Sequence, residues 1–191
     1  MPNIGVMMLN STGETLYMVG LSTAIATLFG IPLGVLLLVT DERQVLECKI
    51  INTVLSFFVN TFRSIPFIIL LFLLIPVTRF ITGKAIGTTA AIVPLSIAAI
   101  PFVGRITETA LREVDKGIVE AAQAMGASPW EIIAKVLLPE SLPALASGVT
   151  ITIINLIGYS AMAGAIGGGG LGDLAYRYGY QRYMLDIMVY T

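Results

Sequence analysis

Glu120-Ala-Ala-Gln-Ala-Met-Gly126-Ala-Ser-Pro-Trp-Glu131-Ile-Ile-Ala-Lys-Val-Leu-Leu-Pro139 decides how this chain is read, because its turn chemistry is spelled out residue by residue. Residues 114–125 are good helix formers, and Gly126 stands where a helix commonly ends in a left-handed residue, a place where a Cβ costs about 1–2 kcal/mol. Ser128 fits a helix N-cap, Pro129 the first helical position, and Glu131 the reciprocal partner of a capping box. The second helix is predicted over 132–138, with Pro139 as its stop. Two short helices with specified ends form either a docking element for another protein or a structural elbow.

Working outward, the hairpin belongs to a connection, residues 105–140, that holds ten of the chain's 23 charges. Elsewhere charges are scarce. Hydrophobic residues make up 56% of the 191 and charged residues 12%, about half the ~25% usual in soluble domains. A charge at mid-bilayer costs about 2.5–3.5 kcal/mol on insertion scales, so uncharged runs mark membrane spans. Residues 15–40, 85–104 and 142–164 are such runs, each long enough for the ~20 residues a crossing helix needs. A fourth span is predicted over 57–78: its apolar heart, Ile68-Ile-Leu-Leu-Phe-Leu-Leu-Ile75, is too short alone and has to extend back past Arg63. An interfacial stretch beginning near Cys48 precedes it. Residues 183–191 read as the opening of a fifth helix that the chain end cuts short. The expected fold is an all-α, polytopic membrane bundle of about five helices.

Alternating topology places Arg43, Lys49, Arg105, Arg112, Lys116 and Lys135 on one side and Arg79, Lys84, Arg177 and Arg182 on the other. The positive-inside rule then makes 105–140 cytoplasmic and puts the N-terminus outside. The start, Met1-Pro-Asn-Ile, lacks the basic region of a cleavable signal.

Composition removes several function classes. With no His, no imidazole can act as base or ligand, and the single Cys48 supplies neither a disulfide scaffold nor a thiolate metal site. No Asp or Glu falls inside the four complete predicted spans, which leaves an intramembrane enzyme without an acid or base there. A net charge of −1 gives no reason to expect nucleic acid. Gly167, Gly169 and Gly172 satisfy G-x-G-x-x-G, but after a membrane helix rather than a strand, so a re-entrant turn or tight external corner is expected instead of a nucleotide site. Gly83-Lys84 is followed by Ala85, so no P-loop is formed.

Glu120-Ala121-Ala122, Gly126 and Val136-Leu-Leu-Pro139 resemble the EAA loop of ATP-binding cassette (ABC) importer permeases, with Val136 in place of the usual Ile. Asn60-Thr-Phe-Arg-Ser-Ile-Pro-Phe67, Ser160-Ala-Met-Ala-Gly164, Gly167-Gly-Gly-Gly-Leu-Gly-Asp-Leu-Ala175 and Tyr178-Gly-Tyr-Gln-Arg182 are similar to the methionine-uptake type of that family. The resemblance implies a type I importer permease in a bacterial cytoplasmic (inner) membrane, surrounded by lipid. It implies a homodimer bound to two cytoplasmic ATPase subunits that use ATP and Mg, fed with D- or L-methionine by an extracytoplasmic binding protein. No cofactor is expected on this chain. Glu120, Ala121, Ala122 and Gly126, with the capping Ser128 and the closing Pro139, would form the coupling helix that contacts the ATPase. An autonomous channel is the competing reading, and it leaves the EAA loop without a role.

Residues 142–164 are unusually small and polar for a lipid-facing helix. Asn155, Ser160 and Met162 are candidates to line the path, with the flexible thioether of Met162 as a gate or as ordinary helix packing. Arg63 would face a cavity or interface on the ATPase side, or snorkel to lipid phosphate. Pro66, Pro76, Pro94 and Pro101 are candidate kinks. Methionine as substrate rests on the resemblance; other small amino acids fit a small-residue tunnel equally.

Overall fold

The computed structural model describes residues 4–42 and 44–191. Met1, Pro2, Asn3 and Arg43, the last counted above among the basic residues, lie outside the described residues. All regular elements among these are helical. In chain order they are α1 (Ile4–Val39), α2 (Lys49–Ser64), α3 (Phe67–Leu73), α4 (Ile75–Thr82), α5 (Thr88–Arg112), α6 (Lys116–Ala124), α7 (Pro129–Ile132), α8 (Leu138–Ala163), α9 (Gly170–Leu174) and α10 (Leu185–Tyr190). Among the described residues three helical stretches are long and apolar enough to cross a membrane: Ile4–Val39, Thr88–Arg112 and Pro129–Gly168. The pair Lys49–Ser64 and Phe67–Leu73, bent by 106°, would make a fourth if counted as one span. The three stretches overlap the predicted spans 15–40 and 85–104, the first helix ending at Val39 and the second beginning at Thr88, and include 142–164. The last stretch has 40 residues, about 60 Å at 1.5 Å each, twice the hydrocarbon thickness, so it is longer than one crossing requires.

Two sequence expectations are corrected. The single helix over 57–78 does not form; the chain is helical from Lys49, interrupted at residues 65–66 and again at Leu74. Proline explains the first break. It disfavours helical backbone at Ile65, and Pro66 itself (φ −55°, ψ 135°) serves as the N-cap of α3. Pro139 is the second correction, because the helix runs through it. Ile133–Leu137 form a π turn, with the Leu138 N–H donating to Ile133 O, and this wide turn removes the clash a proline ring makes with the carbonyl four residues back. Pro94 and Pro101 likewise lie within an unbroken α5, and Pro76 sits in the first turn of α4.

The chain divides into two compact units. The first comprises Met1–Ile25, Ile65–Ala99 and Ile153–Thr191. Here Phe67 stacks on Tyr159 with ring centroids 4.5 Å apart and planes 5° from parallel. The glycine-rich segment is a tight corner, as expected. Gly167, Gly169 and Gly170 have positive φ, the Gly170 N–H donates to Glu14 Oε2 at 2.6 Å, and the Leu171 N–H donates to Thr15 Oγ1 at 2.9 Å. A carboxylate of the chain itself thus takes the amide that a phosphate would need in a nucleotide loop.

The second unit comprises Ala26–Ser64 and Ile100–Thr152. Gly30 and Gly34 on α1, four residues apart, admit α5: a Cβ at Gly30 would lie 2.6 Å from Val103 Cβ, and one at Gly34 would collide with Gly104 O and Thr107. Small residues at this spacing allow the close backbone approach common between membrane helices. About one turn further along these helices, Leu38, Val39, Leu111, Ala122, Ile132, Ile133 and Leu137 form a buried cluster that seats α6 and α7 against the ends of α1 and α5.

Candidate functional site: the helical hairpin

The hairpin is built from its caps. Asp115 Oδ1 accepts from the Gly117 N–H at 2.6 Å and starts α6. At its end, Gly126 takes φ +84°, its N–H donates to Gln123 O at 2.9 Å, and the Ala127 N–H donates to Ala122 O at 3.0 Å. This pair of bonds is a Schellman motif, which satisfies the last carbonyls of α6. Space around Gly126 is open, so glycine is required by its backbone angle alone. The capping box forms as expected: Ser128 Oγ accepts from the Glu131 N–H at 3.4 Å, and Glu131 Oε2 accepts from the Ser128 N–H at 3.1 Å. Lys135 Nζ donates to Glu131 Oε1 at 2.9 Å. Lys135 first, and then the Ser128 amide and hydroxyl, hold the Glu131 carboxyl down to about 2 from an ordinary 4.5.

The residues expected to couple separate into two faces. Ala122 is 5% exposed and belongs to the buried cluster, so it seats the hairpin on its own chain and is not on the outer surface. Glu120, Ala121, Gly126 and Ser128 are exposed. Three apolar residues that the sequence reading passed over share this exposure: Ile118, Met125 (82%) and Trp130 (73%). Ile118, Ala121 and Met125, at i, i+3 and i+7, lie along one side of α6. The available signal was the presence of large apolar residues in an otherwise charged connection, where nothing of the chain's own covers them. On the opposite flank Glu120 lines a cavity of about 440 Å³ with Glu42, Gln44, Arg112, Lys116 and Gln123.

Of the residues expected along the path, those on α8 do not all share one side. Asn155 and Met162 (47% exposed) share the exposed side of α8 with Ile154 and Gly158. Ser160 points elsewhere: it is buried, and its hydroxyl donates to Ile157 O at 2.7 Å, so it does not line that side. Arg63 is exposed in the last turn of α2.

Sequence reasoning also missed Glu108, the one buried charged side chain among the described residues. It accepts from Arg105 Nη1 at 2.6 Å and from Arg112 Nη2 at 2.8 Å. Acids three residues after one Arg and four before another were the available signal. Arg112 also donates to Asp41 Oδ2 at 2.8 Å, and this contact, with the Glu42 N–H, holds the Asp41 carboxyl below the usual carboxylate range.

Known proteins are similar to this chain in both sequence and backbone. A family model described as binding-protein-dependent transport system inner membrane component matches residues 30–189. The probable D-methionine transport system permease protein MetI of Vibrio cholerae is 55% identical over 185 residues, covering 97% of this chain and 82% of the relative. The methionine import system permease protein MetP of Bacillus subtilis is 51% identical over 187 residues, covering 97% and 84%. Among solved structures, an inward-facing conformation of the MetNI methionine ABC transporter superposes with a TM-score of 0.93 at 48% identity, covering 96% of this chain and 87% of that one. A set of apolar, membrane-length helices, a capped hairpin and these matches agree: the chain belongs to the family of binding-protein-dependent transport system inner membrane components, the permeases of ABC importers.

Proposed function

We propose that this permease forms the translocation path for methionine, D- or L-, in an ATP-driven importer, and that residues 116–137 are its coupling element. The observation that carries the coupling reading is a rigidly capped hairpin whose outer side, Ile118, Ala121, Met125 and Trp130, is apolar and uncovered. Such a surface on a cytoplasmic loop fits a groove on a separate ATPase subunit, with Glu120 offering a charge to a basic rim. In this reading 105–140 is cytoplasmic and the N-terminus outside. The permease is a homodimer joined to two ATPases that bind ATP and Mg, and an extracytoplasmic binding protein delivers the substrate. Closure of the ATPases moves the hairpin as a lever, and the apolar cluster beneath it passes that motion to the ends of α1 and α5.

Methionine is supported by the names of the relatives above. Another small amino acid is the alternative, since selectivity can reside in the binding protein. Asn155 and Met162, seven residues apart on one side of α8, are the path residues this reading retains, with Met162 as a gate. Arg63 stands at the cavity or interface on the ATPase side. The test is uptake of labelled methionine by vesicles carrying permease and ATPase, with unlabelled amino acids as competitors. Competition by D- and L-methionine above all others is expected; stronger competition by another amino acid overturns the substrate. In the same vesicles Met162→Ala is expected to raise uncoupled ATP hydrolysis, and unchanged hydrolysis removes the gate.

A further inference from the structure

The ionic network at the end of α5 has no part in the lever as described, yet it joins the segments a lever would have to move. Glu108 uses both carboxylate oxygens, one on Arg105 and one on Arg112. Each guanidinium then reaches a different segment: Arg105 Nη2 donates to Asn60 Oδ1 on α2 at 2.8 Å, and Arg112 Nη2 donates to Asp41 Oδ2, just past the end of α1, at 2.8 Å. Three residues beyond Arg112, Asp115 caps the coupling helix.

Glu108 is buried while its two guanidiniums are partly exposed, and such an ion pair adds little net stability, because desolvation of the buried partner offsets most of the attraction. It does fix geometry, since each guanidinium fork has few orientations that satisfy two acceptors. Geometry matters here because the hairpin is not packed solidly on every side. The cavity of about 440 Å³ beside Glu120 and Arg112 leaves room for α6 to shift without taking α5 along.

We propose that Glu108 is a positioning residue of the transport cycle, which through Arg105 and Arg112 fastens the end of α5 to Asn60 and Asp41 so that displacement of the hairpin moves α1, α2 and α5 together. This rests on the coupling role given to residues 116–137. Without Glu108 both guanidiniums lose their shared acceptor, the hairpin yields into the cavity, and ATP is hydrolysed without a matching change at the path. The partner implied is the chain's own α1–α2 connection, and the quantity controlled is the number of ATP molecules used per substrate imported.

The permease–ATPase complex, in vesicles with substrate-loaded binding protein, is assayed for both hydrolysis and uptake. Glu108→Gln, nearly the same shape without the charge, is expected to raise ATP used per methionine imported at least about fivefold, the lower end of common coupling effects. Asp41→Asn, at a partly exposed position, is expected to raise it less. A ratio equal to wild type in both variants, including one where uptake and hydrolysis fall in proportion, overturns the proposal, because a merely structural residue lowers both together. If Glu108→Gln does not assemble, Asp41→Asn and Asn60→Ala decide by the same ratio. Wild-type vesicles that import a different amino acid would refute the substrate assignment alone, and the ratio is then measured with that amino acid.

Discussion

The helical chain is interrupted at residues 65–66 and again at Gly126, and the two breaks are held in different ways. At Gly126 the contacts that shape the turn are local: a left-handed glycine, two backbone bonds of a Schellman motif, and a capping box completed within five residues. At residues 65–66 the local signal is a single proline, while the following helix is fixed by distant partners, with Phe67 buried and stacked on Tyr159. The first kind of break is written in the sequence. The second depends on residues ninety positions away.

Substitutions sharpen this contrast. The largest effect is expected at Phe67→Ala, which removes a buried ring and its stacking partner. Its cost is about 3 kcal/mol, the low end for such truncations because lipid already surrounds the protein with apolar contacts. Thermal unfolding of the purified permease in detergent measures it. A loss smaller than that of Ser128→Ala would break the distinction between the two interruptions. Gly126→Val comes next, at about 2 kcal/mol, since the Cβ meets open space and only the positive φ opposes it. Gly126→Asn, which tolerates that φ, separates backbone from contact. Restored stability with restored ATPase coupling assigns Gly126 to the hairpin's shape; restored stability without coupling assigns it to close approach by the partner.

Ser128→Ala is smaller, about 1 kcal/mol for a lost N-cap. Smallest of all is the pH effect. Glu131 has its folded value lowered to about 2 from 4.5, so its contribution is fully present above about 4.5 and is lost as pH falls toward 2. Amide exchange at Ser128 and Glu131 is expected to stay slow at pH 3 and to quicken only below it. In Lys135→Gln the quickening moves up toward pH 4.5. Quickening at the same pH in both proteins would show that Lys135 does not hold the carboxylate.

The same contrast explains what could be read in advance. The three long spans follow from uncharged runs, and the hairpin follows from its caps, because both signals are carried by the residues concerned. The single helix expected over 57–78 failed because hydropathy sums over a window and cannot register that Pro66 excludes helical backbone at Ile65. Pro139 failed for the reverse reason: the proline rule is local, and a π turn one step earlier relieved it. The facing of side chains was the least legible feature. Apolar and small polar residues are scattered around every side of α8, so nothing in its spacing distinguishes buried Ser160 from exposed Met162. Ala122 and Glu108 were hidden likewise, since their environments are made by α1, α5 and α7 rather than by neighbours in sequence.

The central claim is that this permease moves substrate only when a separate ATPase drives its hairpin. Vesicles holding the permease alone, the ATPase alone, or both, loaded with ATP and given labelled methionine with the binding protein outside, test it directly. Accumulation is expected only where both subunits are present, and it should vanish with Gly126→Val while the complex still forms. Accumulation or ATP hydrolysis by the permease alone would contradict it.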